Sequence, residues 1–240
     1  TKIEVVDIVM VLDISSSMLA EDFKPNRLEA VKATAKTFIE NRHGDRIGLL
    51  VFAGETFIQC PLTIDTQVLL DLLNAVTVAE REYDGTAIGM AIANATNRLR
   101  SSDAKSKVMI LLSDGSNNAG ELDPMTAAEM AKEFDIKIYT IGAGTNQSVT
   151  YIPNRGYIRN EVDEGTLKDI AKVTDGIYFR ANNVNRLKNI YEEIDNLERS
   201  EIEVKSYTRY QDLYGWLLIP AAILGLFYEV FSRGILRRKM

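Results

Sequence analysis

The stretch VMVLDISSSML, Val9 to Leu19, decides how this chain is read. An apolar run stops on the carboxylate of Asp13, and three serines follow a single isoleucine. Asp13, Ser15 and Ser17 alternate. In an extended loop, side chains at i, i+2 and i+4 lie on one side, so a carboxylate and two hydroxyls would converge there. Ser16 would point away and tolerate replacement. The apolar run itself, 5–12, reads as a strand buried on both faces, with Asp7 the one discordant residue.

Outward from this point, short apolar runs alternate with amphipathic segments. The spacing predicts a helix over 26–40, with Asn26 as cap and Glu29 in the capping-box position. An apolar run over 46–53 follows. The strand over 56–60 comes too soon for a crossover helix and is expected to pair antiparallel. Helices are expected over 65–76, 86–100, 123–134, 164–174 and 183–198, and strands over 107–113, 137–142 and 177–180. Repeated βα units give an α/β fold: a doubly wound, mostly parallel, Rossmann-like sheet with right-handed crossovers and one short antiparallel edge strand. In such sheets ligands bind outside the carboxyl ends of the strands. The polar stretch 145–163, containing YIPNRGYI, breaks the rhythm and is expected to be a hairpin insertion on that rim.

The 240 residues carry a net charge of −6, one cysteine and one histidine. A disulfide framework and a Cys/His zinc site within one chain are excluded, and a nucleic-acid surface is not expected. Cys60 lies in an alternating stretch and reads as a buried structural thiol. His43, between the first helix and the second strand, falls at the edge of the sheet opposite the ligand rim. The chain begins at Thr1 without a signal-peptide pattern, consistent with a processed or truncated form.

Past the domain (1–199) and a charged linker (200–212) comes LYGWLLIPAAILGLFYEVF. Its 19 residues would cover about 28 Å of a hydrocarbon core of about 30 Å. Aromatic residues stand at both ends, and no polar face is apparent. A transmembrane helix is expected over 213–232, with a basic tail over 233–240. Arg233, Arg237, Arg238 and Lys239 outweigh Lys205 and Arg209, which are diluted by acids. The tail is therefore expected in the cytoplasm and the domain across the membrane, which in a bacterium is the periplasm.

Three segments bring oxygen donors to the expected rim: Asp13, Ser15 and Ser17; Thr86 in YDGTAIG, after an Asp84-Gly85 turn; and Asp114 in LLSDGSNNAG, where Gly115 suits a tight turn. Five such oxygens suit a hard divalent cation, Mg2+ first, with Mn2+ or Ca2+ as alternatives. Two carboxylates among neutral hydroxyls leave the cation poorly neutralised. An open position would attract an external carboxylate, which points to a binding site more than to an enzyme.

At these residues the sequence resembles the von Willebrand factor A (VWA) domain with its metal-ion-dependent adhesion site (MIDAS). DxSxS matches at Asp13, Ser15 and Ser17, the later Thr at Thr86 and the later Asp at Asp114, over about residues 5–198. The resemblance implies that Ser15, Ser17 and Thr86 contact metal directly and that Asp13 and Asp114 act partly through water. FAGETFIQCPLTID, YDGTAIGMAIANA and LLSDGSNNAG, followed by an apolar tail, look like the bacterial aerotolerance-type (BatA-like) membrane-anchored proteins. That group also carries membrane helices before the domain, which the given residues do not contain. It implies a stress-related role beside MoxR-type AAA+ ATPases and other membrane-bound VWA or repeat proteins.

Two other functions compete. A metal-dependent phosphohydrolase needs a base and a phosphate clamp; no Lys follows a strand end, and Glu55, Glu80 and Glu82 would repel an anionic substrate. A structural membrane scaffold with a vestigial metal site would be indifferent to loss of Ser15 or Thr86. The expectation is a non-enzymatic, metal-dependent protein-binding module.

Overall fold

A computed structural model describes residues 5–114, 117–145, 150–152, 156–158 and 162–207, together with 220, 221, 223–225 and 228. The chain divides into two compact units, Thr1–Ile202 and Glu203–Met240.

The first unit is built on a six-stranded sheet. Its strands are β1 (Val6–Asp13), β2 (Arg46–Phe52), β3 (Thr56–Thr63), β4 (Ser106–Ser113), β5 (Ile136–Ala143) and β8 (Tyr178–Ala181), in the spatial order β3-β2-β1-β4-β5-β8. All neighbours pair in parallel except β2 and β3. The antiparallel strand runs to Thr63, further than expected, through a register irregularity near Leu49. It carries Pro61 at the sheet edge, where a missing N–H breaks no ladder.

Every residue of β1 is buried because helices cover both faces. Ile8, Met10 and Leu12 enter one core with α1 (Arg27–Asn41), α2 (Thr66–Asn74) and α6 (Val184–Tyr207). Val9 and Val11 enter the other with α3 (Ile88–Leu99), α4 (Pro124–Glu133) and α5 (Glu164–Val173). The period of two sends alternate side chains to opposite layers.

Helix starts follow local chemistry. The side chains of Asn26, Asp65, Asp123 and Asp163 each accept a first-turn N–H of α1, α2, α4 and α5. Glu29 does not complete a reciprocal box; its carboxylate meets Lys32 at 3.0 Å. Asp7, the discordant strand residue, takes two bonds from Arg46 and one from Ser102. Cys60 is buried, and burial followed by the charge of Asp65 raises its thiol above the usual range.

Within the stretch read as a hairpin, β6 (Thr150–Ile152) and β7 (Gly156–Ile158) pair antiparallel, with Tyr151 opposite Tyr157. Helix α6 continues to Tyr207, through residues whose charge density suggested a linker. Such charged residues are good helix formers, so polarity alone did not mark an end. Among the described residues no helix is long and apolar enough to cross a membrane. The expected span over 213–232 falls mostly outside the described residues. Those of it that are described (220, 221, 223–225 and 228) are helical and exposed.

Candidate metal centre

Register places the first two carboxylates. Leu12 pairs with Leu112 across β1 and β4, so Asp13 comes level with Ser113 and Asp114 lies one residue beyond. The Ser113 hydroxyl donates to Asp13 Oδ2 at 2.7 Å. Strand order reverses direction between β1 and β4, and the site sits at that switch point.

Asp13 is fully buried, and its Oδ1 accepts the Ser15 N–H at 2.8 Å. Burial, and then the Asp114 carboxylate, push its pKa up to about 7, against the hydrogen bonds from Ser113 and Ser15. Asp114 is 7% exposed; its Oδ1 is buried without a hydrogen-bond partner among the described residues, and its Oδ2 lies 3.7 Å from Arg27 Nη1.

The serines do converge, by a route other than an extended loop. Ser15 is extended, but Ser16–Leu19 forms a 3₁₀ turn closed by Met18 N–H to Ser15 O and Ala20 N–H to Ser17 O. The turn brings Ser15 Oγ and Ser17 Oγ to 2.9 Å. Buried Met18 anchors the turn in the core that also holds Ile14.

Thr86 arrives by a clamp between loops. The Asp84 carboxylate accepts the Ser16 N–H at 2.9 Å, which fastens the Thr86 loop to the serine turn. Asn118 Oδ1 accepts the Thr86 N–H and Asn117 Oδ1 accepts the Ile88 N–H, both at 2.9 Å. Asn117 thus caps α3 from another loop, so the buried Thr86 is not needed as its cap. The helix starts at Ile88, two residues later than the spacing predicted. Gly85 stands at φ +132°, and a Cβ there would come within 3.0 Å of Ala119 Cβ, so the turn requires glycine. Gly115 lies outside the described residues.

Asp84, Asn117, Asn118, Asp22 and Arg27 were not among the candidate residues. Asp84 entered only as a turn residue, and Arg27 left a trace in falling on the stripe of Val31, Thr34 and Phe38 that α1 buries. The exposed His43 lies at the opposite strand edge, and Glu55, Glu80 and Glu82 are exposed.

The donor set fits a hard cation. A buried carboxylate oxygen without a partner is costly unless positive charge meets it, and the same charge would relieve the repulsion between Asp13 and Asp114. Asp13, Ser15, Ser17, Thr86 and Asp114 would supply oxygens of the kind Mg2+ takes. Ser16 contributes its backbone N–H and is half-buried. Ser16→Ala is expected to leave cation affinity within about twofold of wild type in a metal titration.

The von Willebrand factor type A domain model matches residues 7–193. The chain belongs to the von Willebrand factor type A domain family. Among solved structures, this VWA chain is similar to an aerotolerance-related membrane protein from Bacteroides fragilis NCTC 9343. Identity is 29%, over 78% of this chain and 97% of that one, with TM-score 0.70. Similarity to BatB from Bacteroides thetaiotaomicron is 31%, over 81% and 99% of the two chains, with TM-score 0.71. Proximal thread matrix protein 1 from the mussel byssus, with a zinc-occupied MIDAS motif, shows 25% identity over 81% of this chain and 46% of that one, with TM-score 0.65.

Proposed function

We propose that this VWA domain takes up a divalent cation, Mg2+ by preference, through Asp13, Ser15, Ser17, Thr86 and Asp114. The cation then captures an Asp or Glu carboxylate of a partner protein. The observation that carries this reading is the buried, unpartnered Asp114 Oδ1 beside Asp13 at the switch point of the sheet. Five protein oxygens leave an octahedral cation a further position, which an external carboxylate can fill. The zinc-occupied motif of the mussel protein supports metal uptake by this fold.

The setting we propose is a bacterial inner membrane, with 213–232 as a span, the domain in the periplasm and the tail in the cytoplasm. Similarity to an aerotolerance-related membrane protein supports a membrane setting. The orientation rests on the basic residues 233–240, and a stress-related complex with other membrane-bound VWA or repeat proteins and a MoxR-type ATPase rests on the motif resemblance alone. The role we propose is binding, not turnover: the chain's one histidine, His43, lies at the opposite strand edge, and the exposed Glu55, Glu80 and Glu82 would repel an anionic substrate.

Mg2+ at about 100 times its Kd is expected to stabilise the protein by about 2.7 kcal/mol, or roughly 5–11 °C in Tm, reversed by EDTA. Thr86→Ala should cancel that rise. For the partner, tagged protein is purified from membranes in Mg2+ or in EDTA. A partner lost both in EDTA and with Thr86→Ala supports carboxylate capture. A partner retained in both favours a scaffold, and Mg2+-dependent phosphoester turnover abolished by Asp13→Ala favours a hydrolase.

A further inference from the structure

Beneath the metal centre lies a buried ion pair that the five-oxygen site does not use. Arg27, in the first turn of α1, is fully buried. Its Nε and Nη2 each donate to the Asp22 carboxylate at 2.8 Å. Its third nitrogen, Nη1, has no hydrogen-bond partner among the described residues and stands 3.7 Å from Asp114 Oδ2. Asp22 Oδ2 also accepts the Thr145 N–H at 2.9 Å and the Thr145 hydroxyl at 3.2 Å. Gly144 stands at φ +152°, and a Cβ there would fall 3.0 Å from Arg27 Nη2, so the end of β5 closes over the guanidinium.

A permanent cation so near a metal-ligating carboxylate opposes the metal. The interaction of unit charges a few ångströms apart is large where water is excluded. Arg27 cannot shed its proton, so only a second anion can restrain it. Burial alone would raise the Asp22 pKa, but the hydrogen bonds and charge of Arg27, with the bonds from Thr145, hold it below the usual carboxylate range. Asp22 is therefore ionised at neutral pH.

We infer that Asp22 and Arg27 are positioning residues for the cation: Asp22 holds the Arg27 guanidinium in a two-pronged grip that keeps it from pairing with Asp114, and so leaves Asp114 available to the metal. This inference rests on the divalent-cation reading. Without the Asp22 charge, Arg27 has Asp114 as its nearest anion and competes with the metal for it. The pair also links cation affinity to the end of β5, because Thr145 and Arg27 share one carboxylate.

The test is Mn2+ binding to the whole chain, read from loss of the free Mn2+ electron paramagnetic resonance signal, with Tm measured alongside. Asp22→Asn is expected to weaken Mn2+ binding by about tenfold or more. The double variant Asp22→Asn with Arg27→Gln, which removes both charges, is expected to bind as tightly as wild type or tighter. Asp22→Asn that binds like wild type overturns the inference. So does a folded double variant as weak as the single one, since the loss would then be structural. If Asp22→Asn fails to fold, the double variant decides alone: tenfold weaker binding than wild type overturns the inference. Absence of Mn2+ uptake by the wild type overturns the metal reading and this inference with it, whereas uptake by wild type with an unaffected Asp22→Asn overturns this inference alone.

Discussion

Replacing Asp13 by Asn is expected to abolish divalent-cation stabilisation and, at the same time, to make the cation-free protein more stable at pH 8. The carboxylate is fully buried, and burial and then Asp114 push its pKa from 3.8 up to about 7. The sign follows from linkage. A folded pKa above the unfolded value means that the folded state holds the proton longer. The stability associated with that proton is complete below about pH 4 and is lost as pH rises to about 7. At pH 8 the wild type in EDTA carries the whole cost, and Asn does not. A shift of this size corresponds to about 4 kcal/mol at most; allowing for hydrogen bonds weakened by the amide, about 2 kcal/mol, or roughly 4–8 °C, is expected. At pH 4 the two proteins should unfold at similar temperatures. Thermal unfolding at both pH values, in EDTA and in Mg2+, checks this. An Asn variant less stable than wild type in EDTA at pH 8 would show that burial does not oppose the Asp13 charge. The outcome expected is a binding function maintained at a cost in stability.

The second large effect lies at the opposite edge of the sheet. Glu198 of α6 is fully buried and accepts bonds from Tyr139 at 2.6 Å and Ser106 at 2.7 Å, with Lys137 at 3.4 Å. Its carboxylate ties α6 to the first residue of β4 and the first half of β5. Glu198→Ala deletes the shared acceptor and leaves the Lys137 charge nearby. Lys137 retains some exposure, so the cost falls at the lower end for a broken buried pair, about 2–3 kcal/mol, or roughly 4–12 °C in Tm. Urea unfolding measures it. Mg2+ affinity of the folded variant should be unchanged, because the metal centre lies at the other end of the strands. A wild-type midpoint would mean that the network contributes nothing net.

Much of this molecule was legible because hydrophobic period and turn chemistry are local. The run before Asp13 reads as a strand covered on both sides, and the cap at Asn26 stands in the chain as it acts in the fold. The five candidate oxygens stood out because two segments end strands, at Asp13 and beside Asp114, where a doubly wound sheet exposes ligands, and the third carries Thr86 just ahead of α3 after an Asp-Gly turn. The serine segment is a 3₁₀ turn and not an extended loop because Met18 N–H closes on Ser15 O and Ala20 N–H on Ser17 O, backbone bonds that side-chain alternation does not report. The end of α6 was misjudged because charge density marks solvent contact, not chain conformation.

By itself, then, the sequence determined the element order and the doubly wound architecture, since both depend on periodicity, and it supplied the five oxygen donors on which the proposed metal site rests. Only the tertiary structure decided how they are held. Register set Asp13 beside Ser113, Asp84 and Asn118 fastened the Thr86 loop, and Asp22 restrained Arg27 beneath Asp114. Those partners lie far apart in the chain or on different elements, and a hydrogen bond or ion pair between such groups exists only once the sheet has brought them within reach, so no local pattern announces it.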